Sequence, residues 1–226
     1  MSPELPKFEI KPLGEDCAII DLGNEIDEAI NDRAIAIAQA IEESPFEGFI
    51  ECAPAYSSVA VYYDPCRLGG FGFSAVRSQI DIVVRSSSVF EPGEGRHHTI
   101  PVLFGNEHGP DLEEAAERNG LDTKEFIDTF VSTTYRVYIL GFLPGFPYMG
   151  KVDDQIATPR RGNPRTRVAA GSVGIAGSQT GIYPFDSPGG WQIIGRTSYK
   201  VFDVSSKDPS RFKPGDTVRF SPDDLM

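Results

Sequence analysis

Apolar and polar positions alternate in two short runs near the start of the chain, Phe8 to Leu13 and Cys17 to Leu22, with Gly14-Glu15-Asp16 between them. Alternation with a period of two around a turn predicts a pair of strands. The period then changes. Ile26, Ile30, Ala34, Ile37 and Ile41 recur at helical spacing, Asn24 is placed to cap, Glu25, Asp27 and Glu28 load the positive end, and Ser44-Pro45 stops the run. Glu47 to Cys52 and Ser57 to Tyr63 predict two more strands around Ala53-Pro54, and Phe73, Val76, Ile80 and Val83 mark a second helix. The order strand, strand, helix, strand, strand, helix predicts a small sheet with helices on one face.

Past residue 95 the pattern differs. A strand from Thr99 to Phe104 is followed by two helix starts of one type, Asp111-Leu-Glu-Glu114 and Asp122-Thr-Lys-Glu125, each an acidic cap three residues before a Glu, with Gly120 as the stop between them. From Tyr135 onward, short runs alternate with tight turns: Arg136 to Leu140, Ser172 to Ala176, Gln192 to Ile194, Tyr199 to Val204 and Thr217 to Phe220. Many short strands with turn residues between them predict a barrel or sandwich. The polar, turn-rich stretch Ser86 to Gly95 reads as the linker, which gives an α+β domain over residues 1–90 and a β domain over 91–226.

Charge sharpens that division. The chain of 226 residues carries a net −12, and nearly all of the acid excess lies before residue 95. An acidic protein repels phosphate backbones and anionic membranes, so neither is an expected partner. Met1 to Lys7 has no secretory pattern and no apolar run is long enough to span a bilayer, so the expectation is a cytoplasmic protein. Cys17, Cys52 and Cys66 are odd in number with no Cys-x-x-Cys pairing, which predicts reduced thiols and no zinc site.

Residues 141–195 hold 11 of the 23 glycines and 6 of the 18 prolines, interleaved with Phe142, Phe146, Tyr148, Tyr183, Phe185 and Trp191. That mixture predicts ordered loops presenting a shaped surface. Within Thr158-Pro-Arg-Arg-Gly-Asn-Pro-Arg-Thr-Arg167 the prolines favour an extended chain carrying Arg160, Arg161, Arg165 and Arg167. Guanidinium forks match carboxylates and phosphates, so an anion or acidic-partner site is expected here, against the plainer alternative of a basic loop paired with the protein's own acids. Arg160, Arg165 and Arg167 are the candidate anion holders, Gln179, Thr180 and Asp186 the polar contacts, and Tyr183 and Trp191 the apolar walls.

Gly141-Phe-Leu-Pro-Gly-Phe-Pro-Tyr-Met-Gly150, Ala157-Thr-Pro-Arg-Arg161, Pro164-Arg-Thr-Arg-Val168, Gln179-Thr-Gly-Ile-Tyr-Pro184, Asp186-Ser-Pro-Gly-Gly-Trp191 and Ile194-Gly-Arg-Thr197 together resemble one family. It is the family of the 5-oxoprolinase B subunit, also described as the allophanate-hydrolase subunit 1 type, and it includes the KipI kinase inhibitor. Leu13-Gly-Glu-Asp16, Tyr63-Asp-Pro65 and Gly109-Pro-Asp-Leu-Glu-Glu114 extend the likeness over nearly the whole chain. The resemblance implies a ferredoxin-like domain followed by a cyclophilin-like β-barrel. It adds Arg196 to the candidate site. It also implies a homologous second subunit and an unrelated third, which together use ATP to open 5-oxoproline to glutamate. The alternatives it leaves are a kinase-binding inhibitor, with a histidine kinase as partner, and a component of allophanate or urea-amide metabolism. Two departures stand out: Phe130 where relatives usually have His, and Val168-Ala169-Ala170-Gly171 where they often have Pro second. A packing role for Phe130 is the preferred reading.

Several motifs are decoys. Gly145 to Lys151 has the glycine and lysine spacing of a phosphate loop, but Val152 replaces the magnesium-binding hydroxyl and Pro147 removes a backbone donor. Gly70-Phe-Gly-Phe-Ser-Ala75 mimics a dinucleotide fingerprint without the surrounding strands and helices. Gly171-Ser-Val-Gly174 is one residue short of a nucleophile elbow, with no histidine after it. His97 and His98 are adjacent on a strand, so they face opposite ways and cannot chelate one metal.

Overall fold

The computed structural model describes residues 8–68, 72–86 and 95–223. The chain forms two compact units that divide at residue 95. Most of the expected linker, residues 87–94, lies outside the described residues, as do the N-terminal heptapeptide and Gly70-Phe71 of the glycine decoy.

In the first unit, strands β1 (Glu9–Pro12), β2 (Cys17–Asp21), β3 (Phe49–Pro54) and β4 (Ser58–Tyr63) make an antiparallel sheet in the order β1-β2-β4-β3. The register pairs Ile10 with Ile20 and Ile20 with Val59, so alternate residues Ala18, Ile20, Val59, Val61 and Tyr63 fall on one buried face. Helices α1 (Glu28–Glu43) and α2 (Gly72–Ser86) close that face with Ala34, Ile37, Ile41, Val76, Ile80 and Val84. Starting from β2, the elements run strand, helix, strand, strand, helix, which is the ferredoxin-like order. The edge strand that would complete it comes first in the chain instead of last, so the fold is a permuted relative of the one expected.

The α1 cap is one turn later than the helical spacing predicts. Asp27, not Asn24, is extended and accepts the Ile30 N–H at 3.0 Å, leaving Ile26 exposed ahead of the helix.

The second unit is a closed barrel. Strands β5 (His97–Phe104), β6 (Thr134–Leu140), β7 (Pro147–Gly150), β9 (Ser172–Ala176), β10 (Gln179–Ile182), β12 (Gln192–Arg196) and β13 (Thr217–Pro222) close in the order β10-β7-β6-β13-β5-β12-β9. Closure satisfies the edges that an open sheet would leave unpaired. Only β13 and β5 run parallel. A separate ribbon pairs β8 (Arg165–Val168) with β11 (Ser187–Gly189).

Helices α3 (Leu112–Arg118) and α4 (Thr123–Ser132) pack on the barrel through Leu112, Ala115, Ala116, Phe126 and Phe130. The capping box at Asp122 and Glu125 forms as expected. Phe130 is fully buried and stacked on Phe220 at 5.0 Å, which is the packing role preferred for it. The expected strand from Tyr199 to Val204 reduces to a single bridge between Phe202 and Ser210. Asp203 turns the chain there by accepting from Lys200 Nζ and from the Ser205 N–H. Among the described residues, no helix is long and apolar enough to cross a membrane.

Candidate functional site

The arginine-bearing strap, residues 158–167, is pinned near its start to the first residue of β12 and the turn before it. Arg161 N–H donates to the Gly190 carbonyl at 2.8 Å, and Gln192 Nε2 donates to the Pro159 carbonyl at 3.0 Å. Its main anchor is Asp111, which lies about 50 residues earlier in sequence and is only 2% exposed. Asp111 does not cap α3: it has a helical backbone and no side-chain cap bond. Its carboxylate instead accepts from Arg161 Nη1 (2.6 Å), from both terminal nitrogens of Arg165 (2.8 and 2.6 Å) and from the Ile193 N–H (2.6 Å).

Four donors saturate the carboxylate and fix both guanidinium groups. The loop before Asp111 reaches this depth because residue 109 is glycine, where a Cβ would sit 2.0 Å from the Ile194 carbonyl oxygen. A buried carboxylate is tolerated only when so fully answered.

Next to this clamp is a recess of about 250 Å³, with Phe142, Tyr148, Tyr183, Trp191 and Arg160 on its walls and Pro164 and Pro188 to Gly190 completing it. The rings are set by the buried Phe146, whose centroid lies 4.8 Å from Tyr148, 5.2 Å from Tyr183 and 5.4 Å from Trp191. Edge contacts of this kind hold rings at defined angles.

Tyr183 takes the Trp191 backbone N–H on its hydroxyl. Glycine at 189 makes room for it, since a Cβ there would lie 2.5 Å from the Tyr183 oxygen. Burial pushes the Tyr183 hydroxyl above its ordinary value, against the opposing effects of the Trp191 N–H and the charges of Arg160 and Arg165. Burial does the same to Tyr148, opposed by Arg160. Both phenols are therefore protonated at neutral pH and able to donate.

The structure brings Arg160, Tyr183 and Trp191 together at this recess and places the other sequence-predicted residues elsewhere. Arg165 is held by Asp111. Arg167 forms an exposed pair with Asp186, at 2.8 Å from Nε and 2.6 Å from Nη2. The Ala170 N–H, followed by Arg167, keeps the Asp186 carboxyl below its usual range. Thr180 is buried and donates to the Gly174 carbonyl, Gln179 begins β10 half-buried, and Arg196 donates to the Ala170 carbonyl from an exposed position.

Arg160 is exposed and, among the described residues, has no acidic partner. Asp111 escapes sequence reasoning because its local context matches a helix cap. Phe142 and Tyr148 carry the available signal, as aromatics within the glycine-rich segment. Gly145 to Lys151 forms β7 and its approach, not a phosphate loop.

A family model described as carboxyltransferase domain, subdomain C and D, matches residues 8–212. The chain is 42% identical to the B subunit of 5-oxoprolinase from Bacillus subtilis over 221 residues, covering 95% of this chain and 92% of that protein. It is 38% identical to the 5-oxoprolinase B subunit of Escherichia coli O157:H7, covering 93% and 94% respectively. Among solved structures, the crystal structure of TTHA0988 superposes with a TM-score of 0.80 at 36% identity. That match covers 93% of this chain but spans only 40% of the other.

Proposed function

The chain belongs to the carboxyltransferase subdomain C and D family, alongside proteins named as the B subunit of 5-oxoprolinase, and from that premise we propose that it is one component of an ATP-dependent 5-oxoprolinase. In this reading the assembled complex uses ATP to open the lactam of 5-oxoproline with water, giving glutamate, and this chain acts together with a homologous second subunit and an unrelated third. The observation that carries it is the near end-to-end match to two proteins of that name. TTHA0988 adds support, because the counterpart of this chain occupies less than half of a longer polypeptide there. A longer chain of that kind is consistent with a partner domain working beside this one.

The recess beside the Asp111 clamp is the proposed point of contact with substrate. Arg160 supplies charge and Tyr183 and Trp191 supply walls, while Arg165 holds the strap. Arg167, Asp186, Gln179, Thr180 and Arg196 shape the surrounding turns. The test is reconstitution with and without this chain, measuring 5-oxoproline-dependent ATP hydrolysis and glutamate formation. Turnover is expected only from the full assembly. Turnover by this chain alone, or undiminished turnover by an assembly that lacks it, would overturn the reading.

A further inference from the structure

The charge balance inside the arginine strap narrows what the recess can hold. Three of its guanidinium groups, those of Arg160, Arg161 and Arg165, lie close together in sequence, but Asp111 answers two of them from a buried position. With the single Asp111 carboxylate the three groups sum to +2, and Arg160 is the one of them that, among the described residues, has no carboxylate partner. A triphosphate or polyanion calls for several such charges, whereas a single carboxylate needs one fork.

Size points the same way. About 250 Å³ is below the roughly 300–1,000 Å³ of sites for drug-sized ligands. The walls are ring faces and edges, which favour a flat, compact apolar body, and the protonated hydroxyls of Tyr148 and Tyr183 can donate to a carbonyl oxygen.

Phe142 stands at the same recess with 60% of its surface exposed and a φ of 66°, a left-handed conformation that is costly for a bulky residue. The tight turn around it is closed by hydrogen bonds from Leu143 N–H to the Gly141 carbonyl and from Phe146 N–H to the Leu143 carbonyl. An exposed aromatic held in a strained conformation beside a recess is explained if its ring covers a bound molecule.

We propose that this recess binds a small monocarboxylate bearing a compact flat ring, with Arg160 gripping the carboxylate and Phe142 covering the ring against Trp191 and Tyr183. The choice of 5-oxoproline as probe rests on the oxoprolinase reading above; the class of ligand rests on the recess. Trp191 is the only tryptophan in the chain, so its fluorescence reports occupancy directly. The full chain is titrated with 5-oxoproline, with 2-pyrrolidinone, which keeps the lactam ring and lacks the carboxylate, and with acetate, which lacks the ring.

A saturable change is expected with 5-oxoproline, with each of the other two binding about tenfold or more weakly. Arg160→Ala should bring 5-oxoproline down to the level of 2-pyrrolidinone, Arg160→Lys should recover part of the loss, and Phe142→Gly should weaken binding severalfold. Lys124→Ala, on exposed α4, should change nothing. Equal binding of 2-pyrrolidinone, unaltered affinity in Arg160→Ala, or no saturable response would overturn the proposal. If the assembled enzyme then turned over 5-oxoproline with a KM insensitive to Arg160→Ala, the oxoprolinase reading would stand without this site. If turnover did not require this chain, that reading would fall while a positive titration kept the site.

Discussion

Two arginine–aspartate arrangements lie on the same barrel and differ in almost every consequence. Arg161 and Arg165 meet Asp111 where the carboxylate is 2% exposed, and a backbone N–H joins them. Arg167 meets Asp186 at the surface, with the arginine side chain 77% exposed. The bond lengths are alike, so distance does not separate them. Burial does: Asp111 is out of water and its two arginine partners keep only 31% and 25% of their side-chain surface exposed. Losing one member therefore costs more than at an exposed pair, which exchanges its partner for solvent. Arg160 belongs to neither arrangement, and its lack of an internal acid is what leaves it available to a ligand.

The sharpest way to break this comparison is Asp111→Ala. Two partly exposed guanidinium groups and the buried Ile193 N–H would lose their acceptor, and a loss of about 2–3 kcal/mol is expected in chemical denaturation. A loss below about 1 kcal/mol would mean that the clamp is ornamental. Arg160→Ala should do the reverse, leaving stability within about 0.5 kcal/mol while lowering 5-oxoproline-dependent turnover of the assembled complex about tenfold or more.

A second buried carboxylate extends the comparison to pH. Asp216 is 2% exposed, and burial alone would raise its carboxyl. The Arg96 side chain, the N–H groups of Lys213 and Arg96, and His98 outweigh burial and hold it below the usual range. Its contribution is therefore complete above the ordinary carboxylate value of about 3.9 and disappears as pH falls through the lower folded value. Asp216→Asn should flatten the acid limb of a stability-against-pH curve, and an unchanged slope would remove Asp216 from that role.

Phe142→Gly should relieve a left-handed strain, so its melting temperature should match or slightly exceed the parent while affinity falls. A clear drop in melting temperature would make Phe142 a packing residue. The smallest effect is expected from Arg167→Ala, with no measurable shift in thermal unfolding.

How far these features can be read from sequence depends on whether their cause is local. The α1 spacing of Ile30, Ala34, Ile37 and Ile41 and the capping box at Asp122 are decided within one or two helical turns, and both are legible. Asp111 has a near-identical local context, an acid three residues before Glu114, yet it serves partners some 50 and 80 residues away. No local rule distinguishes the two aspartates.

The same limit explains the strap. Composition marks it as basic and ordered, but which guanidinium stays open depends on a carboxylate brought in by the fold. Tyr199 to Val204 has the apolar content of a strand, and the Asp203 turn overrides it. The first domain's elements are legible in order, whereas its permuted edge strand becomes visible only through the pairing of β1 with β2.

The most direct test is a crystal structure of the chain grown with 5-oxoproline. The ligand's carboxylate should lie within hydrogen-bonding distance of the Arg160 guanidinium and its ring against Trp191, with Arg161 and Arg165 still on Asp111. Ligand bound at the Arg167–Asp186 rim or elsewhere on the chain, or the Asp111 arginines turned out to meet it, would contradict a site built on one free guanidinium.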